Sequence, residues 1–124
     1  MLPPPFNQNI TFLYTQDLAA TRHFYEQILK LKLVRDQGDC VIYALSKVSF
    51  LGFCKRQLAH EQAPIILTLV SDAVEAWYDY LHKLGVEIES PPQHNPRYHI
   101  THFFLHDPNG YKIEIQTFDE PLSL

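Results

Sequence analysis

The stretch His106-Asp-Pro-Asn-Gly-Tyr-Lys-Ile-Glu-Ile-Gln-Thr-Phe118 decides how this chain folds. Asp107-Pro108-Asn109-Gly110 is a turn with identifiable causes. The aspartate bonds its own backbone, the proline presets φ at the first corner, and Asn-Gly tolerates positive φ. Beyond it, Tyr111, Ile113 and Ile115 alternate with Lys112, Glu114 and Gln116, a period of two that marks a strand. Residues 100–105, rich in β-branched and aromatic side chains, precede the turn, so a hairpin closes here. Pairing through a four-residue turn sets Phe103 opposite Glu114 and sends His102 to the other face. Glu114 is then a metal ligand, a substrate contact or a solvated surface charge, and the choice among these sets most of the function.

Working outward, residues 65–70 form a strand, and Asp72 with Glu75 three positions on makes a capping box. The helix that follows has Ala73, Ala76, Trp77, Tyr80, Leu81 and Leu84 as its apolar face, and Gly85 is its αL stop. Residues 86–88 read as a short strand and 90–98 as a proline-rich loop. The first half repeats this order. Residues 10–15 are a strand, Asp17 caps a helix over 18–29, and strands follow at 31–36, 40–45 and 48–54. The polar stretch 55–63 is a linker. The halves align at an offset of 55, with Ile10 on Ile65, Tyr25 on Tyr80 and Leu29 on Leu84, which points to an internal duplication.

A chain of 124 residues is one domain with a real core. Its formal net charge of −4 and scattered basic residues give no footprint for nucleic acid or an anionic membrane. No apolar run is long enough to span a bilayer, and the Pro-rich start is no signal peptide. A cytoplasmic location is therefore expected. Cys40 and Cys54 fall opposite each other on adjacent strands, and in that compartment they read as reduced, partly buried thiols. Gly-rich phosphate loops, Gly-x-Ser-x-Gly elbows and Cys-x-x-Cys motifs are all missing.

The order strand, Asp-Leu, a Phe24-Tyr25 helix, a repeat of that unit and the closing Asp-Pro-Asn-Gly-Tyr-Lys-Ile-Glu-Ile resembles the vicinal oxygen chelate superfamily of glyoxalases, bleomycin-resistance proteins and extradiol dioxygenases. The resemblance covers residues 8–118. It implies an α+β fold in which two βαβββ modules, about 8–54 and 64–118, form a cupped, mostly antiparallel eight-stranded sheet with helices outside, in a chain that pairs as a homodimer. It also implies metal ligands at three places, which here are Ile10, Ile65 and Glu114, and a fourth around residues 50–52. Only Glu114 bears a ligating group. The expectation is therefore no metal and no cofactor, unless His60, His99 and His102 build a relocated site. Lys30 occupies the place where related helices end in Gly, at a cost on the order of 1 kcal/mol if φ is positive there.

Strand alternation then draws the cup. Ile10, Phe12 and Tyr14 share one face, as do Ile65, Leu67 and Leu69, with Phe103, Leu105 and Glu114 joining them and Tyr43 of open facing. Arg97-Tyr98 forms the lip, where Arg97 pairs with a ligand carboxylate or phosphate, with Glu114, or with solvent. The expected ligand-binding set is Phe12, Tyr14, Tyr43, Leu67, Arg97, Tyr98, Phe103 and Glu114. The function expected is metal-independent binding of a small apolar or aromatic molecule. The alternative is a lyase, isomerase or dioxygenase that depends on a metal or uses Glu114 as its base.

Overall fold

A computed structural model describes residues 4–57 and 65–123. The chain divides into two compact units, residues 1–61 and 62–124. Each is a strand, a helix and three further strands, so the class is α+β, with eight strands among the described residues in two mixed four-stranded sheets.

The first unit runs β1 (Asn9–Thr15), α1 (Leu18–Arg22) continuing as a π-helical segment (His23–Ile28), β2 (Lys32–Asp36), β3 (Cys40–Ala44) and β4 (Ser49–Lys55). Its sheet order is β1-β4-β3-β2, with β1 parallel to β4 and the other pairs antiparallel. Asp17 caps the helix by accepting the Ala20 N–H at 3.0 Å. Helix and sheet close over Tyr25, Tyr43 and Phe53, all fully buried, with the Tyr25 and Phe53 ring centroids 4.5 Å apart. On the opposite sheet face Ile10, Phe12 and Tyr14 are exposed, as strand alternation requires. The cysteines are opposed as expected, Cys40 to Cys54, but they form a disulfide rather than the expected free thiols. Register alone brings the two Cβ atoms together, whatever the compartment.

The second unit runs β5 (Ile66–Val70), α2 (Val74–Lys83), β6 (Gln93–Asn95), β7 (Ile100–His106) and β8 (Lys112–Phe118), in sheet order β5-β8-β7-β6. The N-cap of α2 is Ala73 rather than Asp72, and Ser71 Oγ accepts the Ala73 N–H at 3.0 Å. The buried stripe moves with it. Val74 and Leu81 are the buried residues of α2, Tyr78 packs edge-on against Phe103, and Ala76 and Leu84 are exposed. Gly85, at φ +75, ends the helix in a Schellman motif, with Val86 N–H on the Leu81 carbonyl and Gly85 N–H on that of His82.

The expected strand at 86–88 contributes only a bridge from Ile88 to Leu105, and the true edge strand lies within the expected proline loop. Both segments run along β7. Pro91 and Pro92 lack N–H donors, so pairing lapses between them and resumes at Gln93. The repeat offset is likewise uneven. The N-caps Asp17 and Ala73 stand 56 residues apart, whereas the positive-φ stops Lys30 (φ +59) and Gly85 stand 55 apart. The π-helical segment takes up the extra residue of the first helix, as one-residue insertions into helices do.

Candidate functional site

The closing hairpin differs from the sequence expectation by one residue, and that residue moves the site. Asp107 Oδ1 accepts the N–H of Asn109 at 2.8 Å and of Tyr111 at 2.9 Å, and Asp107 N–H donates to the Tyr111 carbonyl at 3.0 Å. Tyr111 thus belongs to the loop, and pairing begins with His106 opposite Lys112. Phe104, not Phe103, faces Glu114, and His102 faces Gln116. A one-residue slip exchanges the faces of a whole strand. Phe103 and Leu105 consequently join Ile113 and Ile115 in the core under α2, while Glu114 shares its face with Phe104 and His102.

A cavity of about 470 Å³ opens on that second face. Alternate residues of two strands line it, Ile100, His102 and Phe104 from β7 and Glu114, Gln116 and Phe118 from β8. Asn95 of β6 and Tyr98 of the following loop complete the rim. Asn95 Oδ1 accepts the N–H of Arg97 at 2.9 Å and of Tyr98 at 3.3 Å, an Asx turn that folds the lip back. The Arg97 guanidinium lies 5.3 Å over the Tyr98 ring rather than on Glu114.

Glu114 is the polar centre, with only 12% of its side chain exposed and 17% of its neighbour His102. Thr68 Oγ1 donates to Glu114 Oε1 at 2.8 Å, because the parallel β5–β8 register sets Thr68 beside it. His102 Nδ1 lies 2.6 Å from Oε2. An ionised carboxylate only accepts, so Nδ1 carries the proton. The Gln116 amide is assigned with its NH₂ rather than its oxygen toward the same carboxylate, since only that orientation makes hydrogen bonds, at 3.3 Å to Oε1 and 3.1 Å to Oε2. The Phe104 ring packs edge-on against His102 at 5.0 Å and carries the Lys112 ammonium 4.3 Å from its centroid.

Of the residues expected to bind ligand, Tyr98 and Glu114 line this cavity, with Arg97 at its lip. Leu67 pairs with Ile113 and Phe103 lies in the core, both on the α2 side of the sheet. Phe12 and Tyr14 stand on the exposed β1 face of the first unit, where Arg56 lies 5.9 Å over the Tyr14 ring. Tyr43 faces the helix of that unit, and its hydroxyl donates to Glu26 Oε2 at 2.8 Å. The same oxygen takes Arg22 Nε at 2.7 Å. That guanidinium bond, against the opposing effect of burial and with help from Tyr43, holds the Glu26 carboxyl below its ordinary value. Burial first, and the Glu26 bond second, push the Tyr43 hydroxyl up.

Sequence reasoning missed Phe104, Gln116, Phe118, Ile100 and Asn95, and it put His102, named only as a candidate metal ligand, on the wrong face. The signal was the period of two itself, which from Glu114 marks Gln116 and Phe118. His102 and Phe104 follow only when the loop length is right.

The helix start at Ala73 also revises the second family ligand position. Ile66, on the Thr68 face, replaces Ile65 as the counterpart of Ile10, and both are aliphatic. The first-unit counterpart of Glu114 is Gly52, since Phe12 pairs with Gly52 as Thr68 pairs with Glu114. The Phe12 ring fills that place, 2.5 Å from where a Cβ on Gly52 would stand. Among the described residues no group of three or more His, Cys, Asp or Glu is arranged to hold a metal ion. His60, the third imidazole of a relocated site, lies outside the described residues. His99, at φ +56, sits with its Nδ1 4.0 Å from Asp119 rather than at Glu114. No helix among the described residues is long and apolar enough to cross a membrane.

Comparison with known proteins agrees with this architecture. Solved structures with the same fold include a glyoxalase/bleomycin resistance protein/dioxygenase from Nocardioides, at TM-score 0.78 and 20% identity over 100% of this chain and 92% of that one. Others are a lactoylglutathione lyase from Agrobacterium tumefaciens (TM-score 0.73, 21% identity, 93% and 96% covered) and a glyoxalase/dioxygenase from Nostoc punctiforme (TM-score 0.74, 17% identity, 97% of each). No curated protein matches the chain. The family model of the Glyoxalase/Bleomycin resistance protein/Dioxygenase superfamily matches residues 7–115, and the chain belongs to that superfamily.

Proposed function

We propose that this protein is a metal-independent member of its superfamily that binds a small, partly apolar or aromatic molecule in the cavity around Glu114. The observation that carries the reading is the set of groups on that carboxylate. Thr68, His102 and Gln116 all present hydrogens to it, whereas a divalent ion needs lone pairs from several ligands at once. The positions that the superfamily gives to other ligands hold Ile10, Ile66 and Gly52, which offer none. The donor set does not fit a metal. It does suit a ligand pocket, with aromatic and aliphatic walls around a few convergent polar groups. In the alternative reading, a lyase or isomerase, Glu114 would take the substrate's proton on a lone pair left free by Thr68 and His102.

The proposal extends to a single cytoplasmic domain that pairs as a homodimer, and sedimentation equilibrium would check the pairing. The binding reading is tested by screening aromatic fragments by thermal shift and mapping the hits by ¹⁵N NMR. Expected are hits that raise Tm and perturb amides of β7 and β8, with the effect weakened in Phe104→Ala. A screen without hits, or hits confined to the first unit, would overturn it.

A further inference from the structure

We propose that His102 is the group that reads the ligand in this cavity, and that the ligand it reads carries an aromatic hydroxyl. This rests on the cavity being the ligand site. The hydrogen-bonding capacity of the site decides the ligand class. Glu114 is occupied on both oxygens, by Thr68 at 2.8 Å and His102 at 2.6 Å, with Gln116 at 3.1 and 3.3 Å. In its neutral form, with the Nδ1 proton on Glu114, the His102 ring presents Nε2 as a lone-pair acceptor. Nε2 has no hydrogen-bond partner among the described residues, is not sealed from solvent, and belongs to a side chain that lines the cavity. Glu114 is the positioning residue. It fixes the tautomer, and together with the Phe104 edge at 5.0 Å it fixes the plane of the ring.

An acceptor with a carboxylate behind it, between apolar walls, selects by sign and by shape. A carboxylate or phosphate ligand would bring lone pairs to a lone pair and a negative charge toward Glu114. A neutral aromatic hydroxyl brings a strong donor to Nε2 and lays its ring against Tyr98, Phe104 and Phe118. It also avoids the cost of desolvating an ion.

The test compares 2-naphthol, 2-methoxynaphthalene and 2-naphthoate by fluorescence titration of the full chain. The expected result is 2-naphthol binding about three- to tenfold tighter than its methyl ether, the worth of one hydrogen bond that the ether lacks. No saturation by 2-naphthoate is expected at the same concentrations. His102→Leu should bind naphthol and ether alike. Should that variant fail to fold, the wild-type ¹⁵N spectrum decides, since the His102 Nε2 resonance should shift with naphthol and stay in place with the ether. Equal affinities in the wild type, a preference that survives His102→Leu, an unmoved Nε2 resonance or tighter binding of naphthoate would each overturn the proposal. Cavity binding of the ether equal to that of naphthol would do so while leaving the binding function intact. Binding of no probe would remove the cavity as a ligand site and this inference with it.

Discussion

Thr68, His102 and Gln116 converge on Glu114, so taking away the acceptor leaves part-buried His102 and buried Gln116 without it, while exposed Thr68 turns to water. Glu114→Ala should cost about 1–3 kcal/mol of stability, because the donors of His102 and Gln116 lose a partner away from solvent. Glu114→Gln keeps an amide oxygen for Thr68 or His102 and should cost about 1 kcal/mol. Urea denaturation of both variants checks the pair, and a loss below about 0.5 kcal/mol in Glu114→Ala would show the network to be ornamental. The Glu26 site makes a second claim at this scale. Its carboxyl titrates below the ordinary value of 4.5 because Arg22 and Tyr43 donate to it. A depressed carboxylate contributes stability that is present above the unfolded pKa and fades as pH falls through the folded one. The gap between wild type and Glu26→Gln should therefore be constant above about pH 5 and shrink on further acidification. A gap that grows in acid would contradict the assignment.

At the level of elements, the closing hairpin shows what sequence patterning conveys and where it stops. The alternation after Gly110 placed strand β8 and set Glu114 apart from Ile113 and Ile115. The loop length did not follow from Asp-Pro-Asn-Gly, because the Asp107 carboxylate reaches one residue further, to the Tyr111 N–H. A single extra loop residue was enough to exchange Phe103 for Phe104 as the neighbour of Glu114, and with it to bring His102 in. The helix stops were legible for a different reason. Gly85 and Lys30 both have positive φ, and only the first is a residue that adopts it without cost. Lys30→Gly should therefore raise stability by about 0.5–1 kcal/mol in thermal or urea unfolding, and a loss of stability would contradict the strain. Gly52 makes the converse case. A methyl there meets the Phe12 ring, so Gly52→Ala should destabilise, and Phe12→Ala in the same chain should relieve most of that loss in a double-mutant cycle.

For the molecule as a whole, the repeated order of elements was enough for the α+β class, and the resemblance carried by that order, Phe24-Tyr25 and the closing Asp-Pro-Asn-Gly-Tyr-Lys-Ile-Glu-Ile pointed to the superfamily. The expectation of reduced Cys40 and Cys54 failed although their register was read correctly, because it was argued from an assumed compartment rather than from their opposition on adjacent strands. Their disulfide closes a loop with a sequence separation of 14, and reducing it should cost about 3 kcal/mol of folding free energy. Unfolding with and without reductant measures this directly, and identical midpoints would contradict it.

The claim beneath the whole account is that hydrogen donors, not a cation, occupy the carboxylate of Glu114. Its most direct test is elemental analysis of protein purified without chelator and dialysed against metal-free buffer, repeated after incubation with zinc, iron, manganese, nickel and magnesium. The account predicts far less than one metal per chain in every case, with no difference between wild type and Glu114→Ala. One equivalent of a divalent ion in the wild type, lost in Glu114→Ala, would contradict it.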